Sequence, residues 1–149
     1  MAVITTDILI TGMRRDDVFA WLSDPDHHDP ILQGAFGSCQ RDSSTEWTLQ
    51  VAVPGRPRKM GYRFLRADES HGGRRVIVET SGKRVAGKLN FSLRTMKPSK
   101  NTLVTLRLDY SPGGALGSVM NAAGLKTALE SSMARILENL AGLLPPDQD

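Results

Sequence analysis

Residues 115–144 read ALGSVMNAAGLKTALESSMARILENLAGLL, and the spacing within them decides the fold. Apolar side chains recur at Leu116, Val119, Met120, Leu129, Met133, Ile136, Leu137, Leu140 and Leu144, which is the period of a helix and not of a strand. At 1.5 Å per residue the segment, about 115–144, makes a single helix of roughly 45 Å. A helix that long needs a broad apolar surface to lie on. Ser111-Pro112-Gly113-Gly114 breaks the chain before it, and Pro145-Pro146 cannot continue it. Its polar face carries Lys126, Glu130, Arg135 and Glu138. Gly117 and Gly124 fall in its first half, where each costs up to about 1 kcal/mol relative to alanine. That half is therefore either bent or kept thin for something that packs closely.

The bed for this helix has to come from the preceding residues. Ile4, Ile8 and Ile10 alternate with Thr5 and Asp7 in a half-buried strand that ends at Gly12. Val18, Trp21 and Leu22 then share one face of a short helix stopped by Ser23-Asp24-Pro25, and a second helical turn or loop follows from Asp26 to about Leu32. From Ala35 to Ser111 the chain reads as strands, and each proposed hairpin sets apolar residues opposite apolar ones. Around Pro54-Gly55-Arg56-Pro57, Trp47 is placed opposite Phe64, Leu49 opposite Tyr62 and Val51 opposite Met60. Around a two-residue turn at Gly82-Lys83, Val78 is placed opposite Gly87 and Val76 opposite Leu89. Around Pro98-Ser99-Lys100-Asn101, Leu93 faces Leu106, Phe91 faces Leu108 and Leu89 faces Tyr110. The expected architecture is an α+β domain in which a six-strand antiparallel meander, residues 35–111, curves around the C-terminal helix.

At 149 residues, 40% of them hydrophobic, the chain is long enough for one domain, 1–149, with a proper core. A single cysteine, Cys39, excludes an internal disulfide, and the N-terminus lacks the basic and apolar regions of a signal peptide. No apolar run is long enough to span a bilayer, so a cytoplasmic location is expected.

The order of strand, two short helices, six-strand meander and long C-terminal helix resembles the helix-grip fold of the START-like superfamily, also called Bet v 1-like or SRPBCC. The opening is the local match: Asp17-Val18-Phe19-Ala20-Trp21-Leu22-Ser23-Asp24-Pro25, then His28 and Pro30-Ile31-Leu32, is similar to the polyketide cyclase/dehydrase and lipid transport branch. Members of that branch often carry tryptophan in the loop where this chain has His27-His28. The resemblance implies a curved seven-strand antiparallel sheet, the first strand pairing with the last near Leu103 to Tyr110, and an apolar cavity between sheet and C-terminal helix that opens near the short helices.

The inward residues then become candidate ligand contacts: Trp47, Leu49, Met60, Tyr62, Phe64, Val78, Leu89, Phe91, Leu108 and Tyr110 from the sheet, with Met120 and Gly124 from the helix. Apolar walls with a few polar tips suit a hydrophobic small molecule, but the same residues would equally make a filled core. Almost no titratable group is placed inward, which favours binding, or a protein-interaction module with a collapsed cavity, over catalysis. A cyclase/dehydratase-type enzyme would have to use Tyr62, Tyr110 or Arg66 as its acid, base or polarising group. Asp24, Asp26, His27, His28 and Asp29 are ligand types suited to zinc or iron, yet read better as exposed loop residues, and no metal or other cofactor is expected. His71, in a glycine-flanked turn, also reads as exposed. The outward sheet face carries Lys59, Arg63, Arg75, Arg84, Lys88, Arg94 and Arg107 against Glu46, Glu79 and Asp109. With no aromatic platform among them it reads as a solvated face, not a nucleic-acid surface.

Overall fold

The computed structural model describes residues 2–97, 100–112 and 119–144, the side chains of 119–123 excepted. Seven strands form one antiparallel sheet in the order β1-β7-β6-β5-β4-β3-β2: β1 (Ala2–Ile10), β2 (Ser38–Arg41), β3 (Glu46–Val51), β4 (Arg58–Asp68), β5 (Arg75–Ser81), β6 (Gly87–Met96) and β7 (Asn101–Tyr110). The first and last strands pair, Ala2 with Tyr110 through Ile10 with Thr102. Between β1 and β2 lie α1 (Arg15–Leu22), a single turn at Pro25–His27 and α2 (His28–Leu32). The C-terminal helix α3 is described from Val119 to Leu143; its expected start near Ala115, Gly117 and the side chain of Met120 lie outside the described residues.

The apolar stripe of α3 does what its period demands. Leu125, Leu129, Met133, Ile136, Leu137, Leu140 and Leu144 are all buried against the inward residues of the sheet, while Lys126, Glu130, Arg135 and Glu138 face outward. In α1, Val18 and Leu22 are buried as expected, but Phe19 is buried where Trp21 is only half-buried.

The strands keep the expected faces and shift their partners. Trp47 lies opposite Tyr62 and not Phe64, Leu49 opposite Met60, and Val51 opposite Arg58. Val78 meets Leu89 and Val76 meets Phe91. Phe91 meets Leu106 and Leu89 meets Leu108. Every one of these pairs is displaced by two positions from the expected register, which returns each side chain to the same face. The expected two-residue turn at Gly82-Lys83 is instead a longer connection between Ser81 and Gly87.

On the outer face, opposite charges stand side by side across five strands. Glu46 pairs with Arg63, Arg63 with Glu79, Glu79 with Lys88, and Lys88 with Asp109. The Arg63 and Glu79 side chains approach to 3.5 Å. Opposite charges in cross-strand positions support the sheet, and they leave the basic residues locally compensated.

Candidate functional site

Among the described residues the inward row of the sheet is closely packed. Trp47, Leu49, Met60, Tyr62, Val78, Leu89, Phe91, Leu108 and Tyr110 are buried, and Phe64 is half-buried against them. Between sheet and helix there remains a void of only about 10 Å³, lined by Phe36, Met60, Thr80, Leu89, Leu108, Leu129, Ser132, Met133 and Ile136. That is room for about one water molecule. Of the candidate ligand contacts, Met60, Leu89 and Leu108 line this void.

The larger space lies at the edge of the core. A cleft of about 620 Å³ is bounded on one side by Gly124, Thr127, Ala128, Ser131, Ser132 and Arg135 of α3, and on the other by Gly34, Ala35, Ala52 and Pro54. The helical wall is a stripe at three- and four-residue spacing, and from Gly124 to Ser132 it is made of small residues, so the helix stays thin there. Gly124 belongs to it, and a Cβ at that position would meet only Val53 Cγ1, at 3.9 Å. Ser132, itself buried, lines both the cleft and the interior void, so a single layer of side chains separates the two.

Under α2, and apart from the cleft lining, lies a buried titratable group that sequence reading placed outside. His28 has no exposed surface. Its Nε2 lies 2.8 Å from the Leu22 carbonyl oxygen, which can only accept, so Nε2 carries the proton. Its Nδ1 is then the acceptor, and the Tyr62 hydroxyl donates to it at 2.7 Å. Phe64 and Phe91 stand edge-on to the imidazole, with ring centres 5.1 and 5.6 Å away. Burial in this aromatic box outweighs the Leu22 hydrogen bond and lowers the His28 pKa to about 4. Burial likewise pushes the Tyr62 hydroxyl well above its usual range. The pair is thus a neutral imidazole and a neutral phenol at physiological pH, and it pins α2 to the sheet. The expectation that His28 is an exposed loop residue is overturned. One signal pointed the other way: Ile31 and Leu32, at i+3 and i+4 from His28, are apolar, so a helix through them puts His28 on the buried face.

The neighbouring loop groups are engaged one by one. Asp29 accepts from Trp47 Nε1 at 2.9 Å, and Asp26 pairs with Arg41 at 2.6 Å. The Arg41 guanidinium lies 5.0 Å from the centre of the Trp47 ring. His27 stacks on Trp21 and its Nδ1 lies 2.6 Å from the Trp21 carbonyl oxygen. Asp24 accepts from the Asp26 backbone N–H. Among the described residues no three His, Cys, Asp or Glu side chains are arranged to hold a metal ion.

The three catalytic candidates do not converge. Tyr62 and Tyr110 share one row of the sheet through Thr80 and Gly87, three strand spacings apart, or about 14 Å of backbone. Burial, and the charge of Glu130, raise the Tyr110 hydroxyl, but it stands on the same face three strands away from Tyr62, the partner of His28. Arg66 is exposed: a bulge between Phe64 and Arg66 shifts the register, so that Arg66 pairs with Ile77 and turns outward. His71 is exposed, as expected, with a left-handed backbone in its turn.

No known family profile matches the chain, and no curated protein matches it. Solved structures do. The solution structure of KanY protein is 17% identical, with a TM-score of 0.69 over 95% of this chain and 95% of that one. Norcoclaurine synthase from Thalictrum flavum is 18% identical, TM-score 0.65, over 99% of this chain and 95% of that one. ZhuI aromatase/cyclase from Streptomyces sp. R1128 is 12% identical, TM-score 0.65, over 95% of this chain and 92% of that one. At such identities the likeness is one of fold. Together with the seven-strand antiparallel sheet curved on a long C-terminal helix, it assigns the chain the helix-grip, or Bet v 1-like, fold.

Proposed function

We propose that the chain binds a hydrophobic small molecule, lipid-like or polyketide-like, in the cleft between the small-residue stripe of α3 and the segments at Gly34–Ala35 and Ala52–Pro54. The carrying observation is the cleft itself, whose volume of about 620 Å³ falls among those of small-molecule sites. Ala35, Ala52, Pro54 and Ala128 give it apolar walls, and the interior void behind Ser132 lets a ligand extend inward by displacing one layer of side chains. Native mass spectrometry of the purified protein, beside a thermal-shift panel of fatty acids, flavonoids, sterols and aromatic polyketides, tests this. A ligand at a hundred times its Kd stabilises by about 2.7 kcal/mol, which for a chain of this size raises Tm by roughly 5–10 °C. Ser131→Trp, which fills the cleft from an exposed helix position, is expected to abolish that rise while moving the ligand-free Tm by less than about 2 °C. No co-purified mass and no rise across the panel would sink this reading and leave the interaction-module alternative.

A cyclase-type reaction is the second reading, favoured by the 2.7 Å His28–Tyr62 hydrogen bond, an acid–base pair buried between α2 and the sheet. On that reading Tyr62→Phe stops aromatisation of a linear polyketone thioester surrogate, followed by mass spectrometry, while the surrogate still binds.

A further inference from the structure

Resting on the binding reading above, we infer that the cleft takes an amphiphile carrying a carboxylate at one end, and that Arg135 receives that carboxylate. The cleft has two unlike ends. At one, Gly124 lies against Val53, next to Ala52 and Pro54. At the other, the helix is joined to α2, since Asn139 donates to the Ile31 and Gln33 carbonyl oxygens at 3.0 and 2.9 Å, and here Arg135 and Gly34 form the rim. From Gly124 to Arg135 the helical wall runs about 16 Å, the span of a medium-length acyl chain.

Among the described residues that line the cleft, Arg135 is the one formal charge and none is a carboxylate. Among the described residues Arg135 makes one ion pair, a contact of 3.9 Å with Glu138, both side chains being more than half exposed. An exposed pair at that distance contributes little, so the guanidinium is available to a better partner. A guanidinium binds a carboxylate through two parallel N–H···O bonds, a geometry an ester or an amine cannot reproduce. Thr127 and Ser131 add hydroxyl groups along the wall between the apolar end and Arg135. The arrangement is that of a site with a tail end and a head end, and the sign of the head is fixed by Arg135.

The test compares dodecanoate, below its micellar concentration, with methyl dodecanoate and dodecylamine by calorimetric titration, on the wild type, Arg135→Gln and Arg135→Lys. Dodecanoate is expected to bind about tenfold or more tightly than the ester. Arg135→Gln should erase that preference without weakening the ester, and Arg135→Lys should keep part of it, since lysine retains the charge but not the fork. Arg135 is exposed, so the variants retain the fold, which circular dichroism checks. Equal binding of acid and ester, or a preference that survives Arg135→Gln, overturns the inference and leaves the binding reading standing. The same holds if a neutral member of the thermal-shift panel binds while dodecanoate does not. Silence from every panel member and all three probes removes both.

Discussion

Taking the pH from 7 to 4 is expected to withdraw about 3 kcal/mol of folding stability through His28 alone. In the folded chain its pKa is lowered from 6.5 to about 4, chiefly because burial penalises the charged ring. The unfolded chain therefore takes up the proton first as the pH falls. Stability is complete above 6.5, declines between 6.5 and about 4, and declines no further below that on this residue's account. Protonation of Nδ1 would also remove the acceptor that holds the Tyr62 hydroxyl, so the loss falls on the join between α2 and the sheet. Urea unfolding of the wild type and His28→Gln at several pH values measures it. The wild type's advantage over the variant should shrink by about 3 kcal/mol across this range. Parallel declines in the two proteins would place the acid sensitivity in carboxylates elsewhere.

The second large effect is steric. Gly87 opens β6 opposite Tyr110, and a Cβ built on it would overlap the Asp109 backbone carbonyl. A backbone atom cannot swing aside, so Gly87→Ala must push β6 from β7 and is expected to cost about 3 kcal/mol. Gly61 makes the contrast. There the added methyl would meet the Ser81 hydroxyl, the free end of a short and exposed side chain. Gly61→Ala should cost less than about 1 kcal/mol. Urea midpoints of the two variants, read side by side, check this, and equal losses would mean that β6 and β7 separate more easily than their pairing suggests.

What the sequence made legible was set by periodicity. The stripe of α3 and the inward and outward faces of the strands follow from the spacing of apolar residues, and the structure has both. Periodicity is blind to a displacement of two, since Trp47 is buried equally well opposite Phe64 or Tyr62; connection length decides between them, and the long connection after Ser81 was read as a tight turn. The bulge before Arg66 escaped for a related reason: one unpaired residue leaves no compositional trace, yet it turned an inward candidate outward. His28 escaped because its polar neighbours, Asp26, His27 and Asp29, dominated the reading, although Ile31 and Leu32 carried the opposite signal. The cleft was only half visible. Gly124 was singled out as a place where the helix is thin, but Gly34, Ala35, Ala52 and Pro54 meet it only through the tertiary fold.

The double hydrogen bond of Asn139 has a mechanical corollary. Because one amide group holds two carbonyls, two residues apart at the end of α2, the Arg135 end of the cleft is tied to α2 and is the stiffer of its two ends. The opposite end is the connection 52–57 between β3 and β4, a surface loop and hence the more compliant part. On the binding reading, a bulky guest would wedge the opening from Pro54 inward, its leading group travelling toward the end that Asn139 holds.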